Sequence, residues 1–172
     1  RGCAHGCIFC YARPTHAFLD LSPGLDFETK LLYKPRAAEL LREELARPGY
    51  RCRFIMLGSN TDPYQPVERK LGITRSILEV LEETGHPVSI TTRSTLILRD
   101  TELLAGMARK GLAEVQVSIT TFDNDLKRGL DKGLAAAIAA LKEMSRPVSS
   151  RREKAQVATI SAHNDETIGA LV

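Results

Sequence analysis

An α/β fold built on a mostly parallel sheet is the architecture this sequence predicts. Three observations point there. Short apolar runs of strand length recur at 54–57, 88–92 and 115–119. Amphipathic stretches of helical length separate them, and the turns after successive runs are polar. In such folds ligands bind beyond the carboxyl ends of the strands, so the polar turns are the first place to look for a site.

Taken in order, residues 1–26 are irregular, rich in glycine and proline, and hold Cys3, Cys7 and Cys10. Phe27, Thr29, Leu31 and Tyr33 alternate as in a short half-buried strand. Pro35 suits the first turn of a helix whose stripe is Ala37, Leu40, Leu41 and Leu45, stopped by Pro48-Gly49. Cys52 reads as a small buried hydrophobe ahead of the strand Phe54-Ile55-Met56-Leu57, which runs into Gly58, Ser59, Asn60, Thr61 and Asp62. Ile77, Leu78, Val80 and Leu81 mark a second helix, closed by Gly85. The strand from Val88 to Thr92 ends at Arg93 and Ser94. Asp100 is placed to cap a helix through Leu103, Leu104, Met107 and Ala108, with Gly111 as its stop. Val115, Val117 and Ile119 form the next strand, with Ser118, Thr120 and Thr121 at its end. Helical character returns at 126–130 and 134–144, and 156–160 is a weak last strand.

Forty-three per cent hydrophobic residues in 172 can bury the core of one domain. The net charge of +3 is spread along the chain rather than gathered in a basic block, which permits a nucleic-acid partner without requiring one. The four cysteines do not form a disulfide framework, and a thiolate site needs a reducing compartment. With no run of eighteen apolar residues and no leader pattern, a soluble cytoplasmic protein without membrane contact is expected. Only two residues precede the first cysteine, so a fragment beginning within a domain is also expected.

The cysteines carry the chemistry. Cys3, Cys7 and Cys10 in C-A-H-G-C-I-F-C are spaced by three and then two residues. An iron–sulfur cubane held by three thiolates keeps one iron open for another ligand. The competing reading is a small zinc site in which His5 or His16 joins the thiols. Cys52 is poorly placed as a fourth ligand.

This spacing, with Phe9 just before the last cysteine, resembles the radical S-adenosylmethionine (SAM) signature. The stretches 6–16 (GCIFCYARPTH), 21–30 (LSPGLDFETK) and 60–68 (NTDPYQPVE) are similar to the spore-photoproduct-lyase-like radical SAM proteins, often labelled DNA repair photolyases. The similarity continues through 92–100 and 117–123. It implies a partial (βα)6 barrel and a single incomplete core domain over 1–172. In that domain 1–26 is the cluster loop, 27–125 holds βα units, 126–172 is a divergent tail, and the first strand and the C-terminal part are missing.

The resemblance further implies a [4Fe–4S] cluster on Cys3, Cys7 and Cys10, with SAM chelating the open iron. Phe9 would pack near the adenine. Ser59, Thr61 and Ser118 would approach SAM from strand ends, Arg93 and Ser94 would meet its carboxylate end, and Asp62 would either cap the following backbone or receive a ribose hydroxyl. Tyr11 would border the cluster or substrate, and Arg13 and His16 would be candidates for anionic contacts. The implied reaction is reductive cleavage of SAM to a 5′-deoxyadenosyl radical, with electrons from a partner such as flavodoxin or ferredoxin and a pyrimidine lesion in DNA as the family's substrate. A modified RNA or a small molecule would fit these residues equally well. Arg51 and Arg53 are available to phosphate, whereas Arg36, Arg42 and Arg47 are spaced like the wet face of a helix.

Three departures stand out. The family has Lys-Ser where this chain has Arg93-Ser94. A cysteine hydrogen donor in spore photoproduct lyase corresponds to Ser59, a far poorer donor. After Asp123 the pattern breaks, and only Asn164-Asp165-Glu166 is similar to the family's later polar segment. The reading from a different class is a non-catalytic iron–sulfur or zinc protein, or an inactive gene fragment.

Overall fold

The computed structural model describes residues 1–119. The strand end at Thr120-Thr121, the helical stretches within 126–144, the strand candidate 156–160 and the rest of the 126–172 tail lie outside the described residues.

The apolar runs become three strands, β1 (Ile55–Leu57), β2 (Val88–Thr92) and β3 (Ala113–Val117), in a parallel sheet of that order. Ile55 pairs with Val88, Leu57 with Ile90, and Ile90 with Val115. Side chains alternate along a strand, so this register gathers Ile55, Leu57, Val88, Ile90 and Val115 on one face. The amphipathic stretches cover that face. Among them α4 (Ile73–Glu83), which follows the short α3 (Glu68–Leu71), buries Leu78 and Leu81, and α5 (Thr101–Arg109) buries Leu103, Leu104 and Met107. The opposite face carries Met56 together with the polar Ser89, Thr91, Glu114 and Gln116.

The helix expected after Pro35 is α2 (Ala37–Leu45), with Pro35 lying in the turn ahead of it. Leu41 and Leu45 reach the core, while Leu40 is exposed. Arg36, Arg42 and Arg47 point to water, paired with Glu39, Glu83 and Glu44. Solvated pairs of this kind contribute about 0–1 kcal/mol each, so the arginines are surface residues of the helix.

Three local expectations need correction. Residues 27–33 do not form a strand. Leu25–Thr29 is a short helix, α1, and Phe27 is buried against the His16 ring. The alternation at 27, 29, 31 and 33 also contains two i, i+4 spacings, so the pattern by itself does not separate strand from helix, and only 27 and 29 fall within α1. Cys52 is exposed rather than buried, because regular pairing begins only at Ile55. Asp100 sits at the start of α5 but its carboxylate caps nothing.

Instead, Asp100 is the centre of a buried polar network. It accepts from Tyr64 Oη at 3.1 Å, Arg75 Nη1 at 3.2 Å and Arg99 Nη2 at 2.9 Å. Arg99 also reaches Glu68 Oε1 at 3.0 Å, the atom that accepts the Thr74 N–H at the head of α4. Burial pushes the Asp100 carboxyl up, but the two guanidinium groups and the Tyr64 hydroxyl more than reverse it and hold it below the ordinary aspartate range. Its folded value is therefore below its unfolded one. The stability it contributes is present above an unfolded value of about 3.9 and is lost as pH falls through the folded value. Asp100→Asn is expected to cost about 2–3 kcal/mol in urea unfolding near pH 7. Its stability should also fall less steeply than the wild type's below about pH 4. An Asn variant with the wild-type acid profile would show that the network does not carry this charge.

Candidate cofactor site

The carboxyl ends of all three strands open on one cavity of about 280 Å3. That is near the lower end of the ~300–1,000 Å3 usual for small-molecule sites. The segment after β1 supplies Gly58, Asn60, Thr61 and Asp62, β2 supplies Thr91, Thr92 and Arg93, and Ser118 follows β3. The opposite wall is the cysteine loop. Gly58 lets the ends of β1 and β2 come together: its φ is +102°, and a Cβ there would lie 2.1 Å from the Thr91 carbonyl oxygen. Only glycine allows the chain to leave β1 pressed against β2 in this conformation.

Cys3, Cys7 and Cys10 all face the cavity. Cys3 and Cys7 are buried and Cys10 is half-buried. The loop has no regular structure, so its shape comes from specific hydrogen bonds. The Cys3 N–H donates to the Phe27 carbonyl at 2.9 Å. Arg13 Nε donates to the Cys7 carbonyl at 3.0 Å, and its far nitrogen pairs with Glu28. His16 is fully buried, with Nε2 3.1 Å from the Lys30 carbonyl oxygen. Arg13 and His16 thus hold the loop from behind and do not line the cavity. Burial pushes the Cys3 thiol up from its ordinary value. A cation faces the next cysteine of the loop, since Arg93 Nη1 donates to Cys7 Sγ at 3.1 Å while its guanidinium lies 5.5 Å from the Phe9 ring centre.

Asp62 ties the two strand ends together. Its Oδ1 accepts from Thr92 Oγ1 at 2.6 Å and from the Tyr64 N–H at 2.8 Å. Its Oδ2 accepts from the Arg93 N–H at 2.9 Å and lies 3.3 Å from His5 Nε2. Burial alone raises its pKa, but His5, Thr92 and the Arg93 amide together hold it below the usual range. Of the two roles expected for Asp62, capping the backbone that follows is the one this hydrogen-bond set describes.

Of the residues expected to bind cofactor, Phe9, Thr61, Asp62, Arg93 and Ser118 line the cavity. Ser59 and Ser94 are not in its lining. The Ser59 carbonyl accepts from the Tyr11 hydroxyl. The Ser94 hydroxyl caps the 3-10 turn Thr95–Asp100 by accepting the Leu96 N–H at 3.2 Å. Sequence reasoning passed over Thr91, Thr92 and Gly58 as lining residues. Their signal was the strand end itself, where the last residues of a run and the first glycine beyond it share one rim.

The donor chemistry discriminates between cluster and ion. Among the described residues, no three His, Cys, Asp or Glu side chains are grouped to hold one metal ion. His16 turns away, and the His5 ring nitrogen Nε2 faces Asp62. Three thiols distributed around one cavity fit a multi-iron cluster, in which each binds a different iron, better than a mononuclear zinc site.

The family model for the radical SAM superfamily matches residues 1–154. An uncharacterized protein of Mycobacterium bovis and one of Mycobacterium tuberculosis are each 42% identical to the chain over 141 residues. Those alignments take in 82% of this chain and 42% of each relative, so the chain spans less than half the length of these relatives. A chaperonin, GroEL 5 of Bradyrhizobium diazoefficiens, is 46% identical over 105 residues, 61% of this chain and 18% of its own. No solved structure matches. No helix among the described residues is long and apolar enough to cross a membrane. By its family match, the chain belongs to the radical SAM superfamily, whose enzymes use a [4Fe–4S] cluster and S-adenosylmethionine.

Proposed function

We propose that residues 1–119 form the cluster- and SAM-binding part of a radical SAM enzyme. One observation carries this reading: Cys3, Cys7 and Cys10 converge with the polar ends of three parallel strands on a single cavity. When bound, the cluster and SAM supply one-electron reductive cleavage that yields a 5′-deoxyadenosyl radical.

The chain's residues bind, orient and exclude water. Cys3, Cys7 and Cys10 would hold the cluster as thiolates and would leave a position open to the amino-acid end of SAM. Phe9 offers an apolar face to the adenine. Arg93 lines the cavity, and its fork suits a carboxylate, although differently from the lysine of related proteins. Thr61 and Ser118 supply hydroxyls at neighbouring strand ends. Asp62 fixes the Arg93 backbone, and Ser94 steadies the turn that follows. Ser59 is not in the lining but lies between Gly58 and Asn60, which are, and its carbonyl accepts from Tyr11, which also lines the cavity.

A flavodoxin or ferredoxin is the proposed reductant. The substrate reading, a pyrimidine lesion in DNA acted on by a spore-photoproduct-lyase-like member, rests on the three motifs of the opening residues. Arg51 and Arg53 precede β1, at the opposite end of that strand from the cavity, so phosphate contacts would fall to other residues. Ser59 in place of a cysteine donor argues against spore photoproduct repair itself.

Anaerobic incubation of the whole reconstituted protein with dithionite and SAM tests this. Methionine and 5′-deoxyadenosine should form in equal amounts, faster with ultraviolet-damaged DNA than with undamaged DNA. No cleavage by a protein that holds its cluster would remove the enzymatic reading, and equal rates with both DNAs would remove the lesion.

The break in pattern after Asp123 favours a second reading. In it the chain is a non-catalytic iron–sulfur or zinc protein or an inactive gene fragment. The cleavage assay decides the first of these, and single-molecule sequencing of source DNA across the codons for 110–140 decides the second. An uninterrupted frame in every read would remove the gene fragment.

A further inference from the structure

Gln65 has no role in the reading above, yet its side chain bridges the two walls of the site. Its Nε2 donates to the Gly2 carbonyl at 3.1 Å, and its Oε1 accepts the Ala4 N–H at 3.1 Å. These are the peptide groups on either side of Cys3. The Cys3 N–H is engaged separately, with the Phe27 carbonyl at 2.9 Å. The backbone around this cysteine is therefore held from two directions, by α1 and by the segment after β1.

The fit is close. Gly2 has φ +86°, and a Cβ there would lie 2.9 Å from Leu31 Cδ2 and 3.0 Å from the Phe27 carbonyl oxygen. A side chain at position 2 has no room between Leu31, His16 and the Phe27 carbonyl, so the backbone next to Cys3 sits directly against them. Gln65 is itself anchored on a rigid base. Its N–H donates to the Asp62 carbonyl at 3.3 Å, and its carbonyl accepts the Glu68 N–H at 2.9 Å. Its neighbour Tyr64 is fully buried on Asp100. An amide is the side chain this geometry needs: one arm must donate and the other accept, which a carboxylate or an ammonium cannot do.

We propose that Gln65 is the positioning residue for Cys3, a two-point amide clamp that sets this thiol into the cavity before any cofactor binds. The proposal about the apo chain stands on the hydrogen bonds alone; its consequence for the cluster rests on the radical SAM reading. A ligand held in place beforehand loses little freedom on metal binding, so the clamp slows loss of the bound iron.

The test uses the full chain with Gln65→Met, which keeps side-chain length without the amide, and Gln65→Glu, which keeps an acceptor for Ala4 but loses the donor to Gly2. In the apo protein, alkylation of each cysteine is followed by mass spectrometry, with exposed Cys52 as internal reference. In the reconstituted protein, iron release to a chelator is timed.

Alkylation of Cys3 should rise about tenfold in Gln65→Met, consistent with loss of two hydrogen bonds. Cys7 and Cys10 should change little, and iron release should quicken by a similar factor. Gln65→Glu should lie between the wild type and Gln65→Met or match Gln65→Met. Unchanged Cys3 alkylation would overturn the clamp, as would an equal rise at all three cysteines, which marks general loosening. If the wild type takes up no cluster, the radical SAM reading fails while the alkylation pattern still decides the clamp. If the wild type holds its cluster and the variants release iron no faster, the clamp's role toward the cluster fails alone.

Discussion

Alanine at Cys3, Cys7 or Cys10 is expected to abolish stable cluster binding, with any one substitution nearly as severe as all three. The loss follows from ligand count. Three thiols face the cavity, and no other His, Cys, Asp or Glu among the described residues joins them as a ready-made ion site. His5 lies on the same loop, but Asp62 is 3.3 Å from its Nε2. Cys52 precedes β1 and so lies at the far end of that strand, where it cannot substitute; Cys52→Ala should leave iron and sulfide content unchanged. Iron and sulfide per chain after anaerobic reconstitution, with the absorbance of the brown protein, read both results. A cysteine variant that keeps full cluster content would show that the ligand set is wrong.

The second large effect is expected at Gly58. Gly58→Ala meets two penalties together, a left-handed φ of +102° and a Cβ 2.1 Å from the Thr91 carbonyl oxygen. A clash with backbone is not relieved by a rotamer change, so β1 must separate from β2 or the loop must refold. Either outcome moves Asn60, Thr61 and Asp62 away from Thr92 and Arg93. A loss of about 2–4 kcal/mol in unfolding free energy is expected, with SAM binding weakened more than stability alone would explain. Alanine at Gly49, where a Cβ would meet nothing within 4 Å although φ is +87°, serves as the comparison and should cost far less. Equal losses at the two positions would mean that backbone conformation, rather than the close approach of the strands, sets the requirement for glycine.

The extent to which the sequence disclosed this arrangement varies with the kind of signal. Strands β1, β2 and β3 were legible because each apolar run is bounded by residues that cannot continue it, and because all three share parallel neighbours. In the segment 27–33 any alternation over four positions also contains i, i+4 spacings (27/31 and 29/33), so nothing local separates the two periods. Asp100 has the residue type and position of a cap. Its partners, Tyr64, Arg75 and Arg99, converge on it only after α4 and the 3-10 turn pack together.

The site divides in the same way. The cysteines and the polar strand ends could be placed from spacing and periodicity. The bonds from Asp62 to Thr92 and from Gln65 to Gly2 and Ala4 connect residues 30 to 63 apart, and no local pattern encodes such pairs. Ser59 and Ser94 carried a polar residue's signal at a strand end, but one engages Tyr11 through its backbone and the other caps a turn.

The most direct measurement is electron paramagnetic resonance of the anaerobically reconstituted, dithionite-reduced protein, recorded with and without SAM. The account predicts a [4Fe–4S]⁺ signal whose g values and line shape change on adding SAM, because a coordination position left by three thiolates is open to it. A protein that takes up zinc and no cluster, or a cluster whose signal is identical with and without SAM, would contradict it.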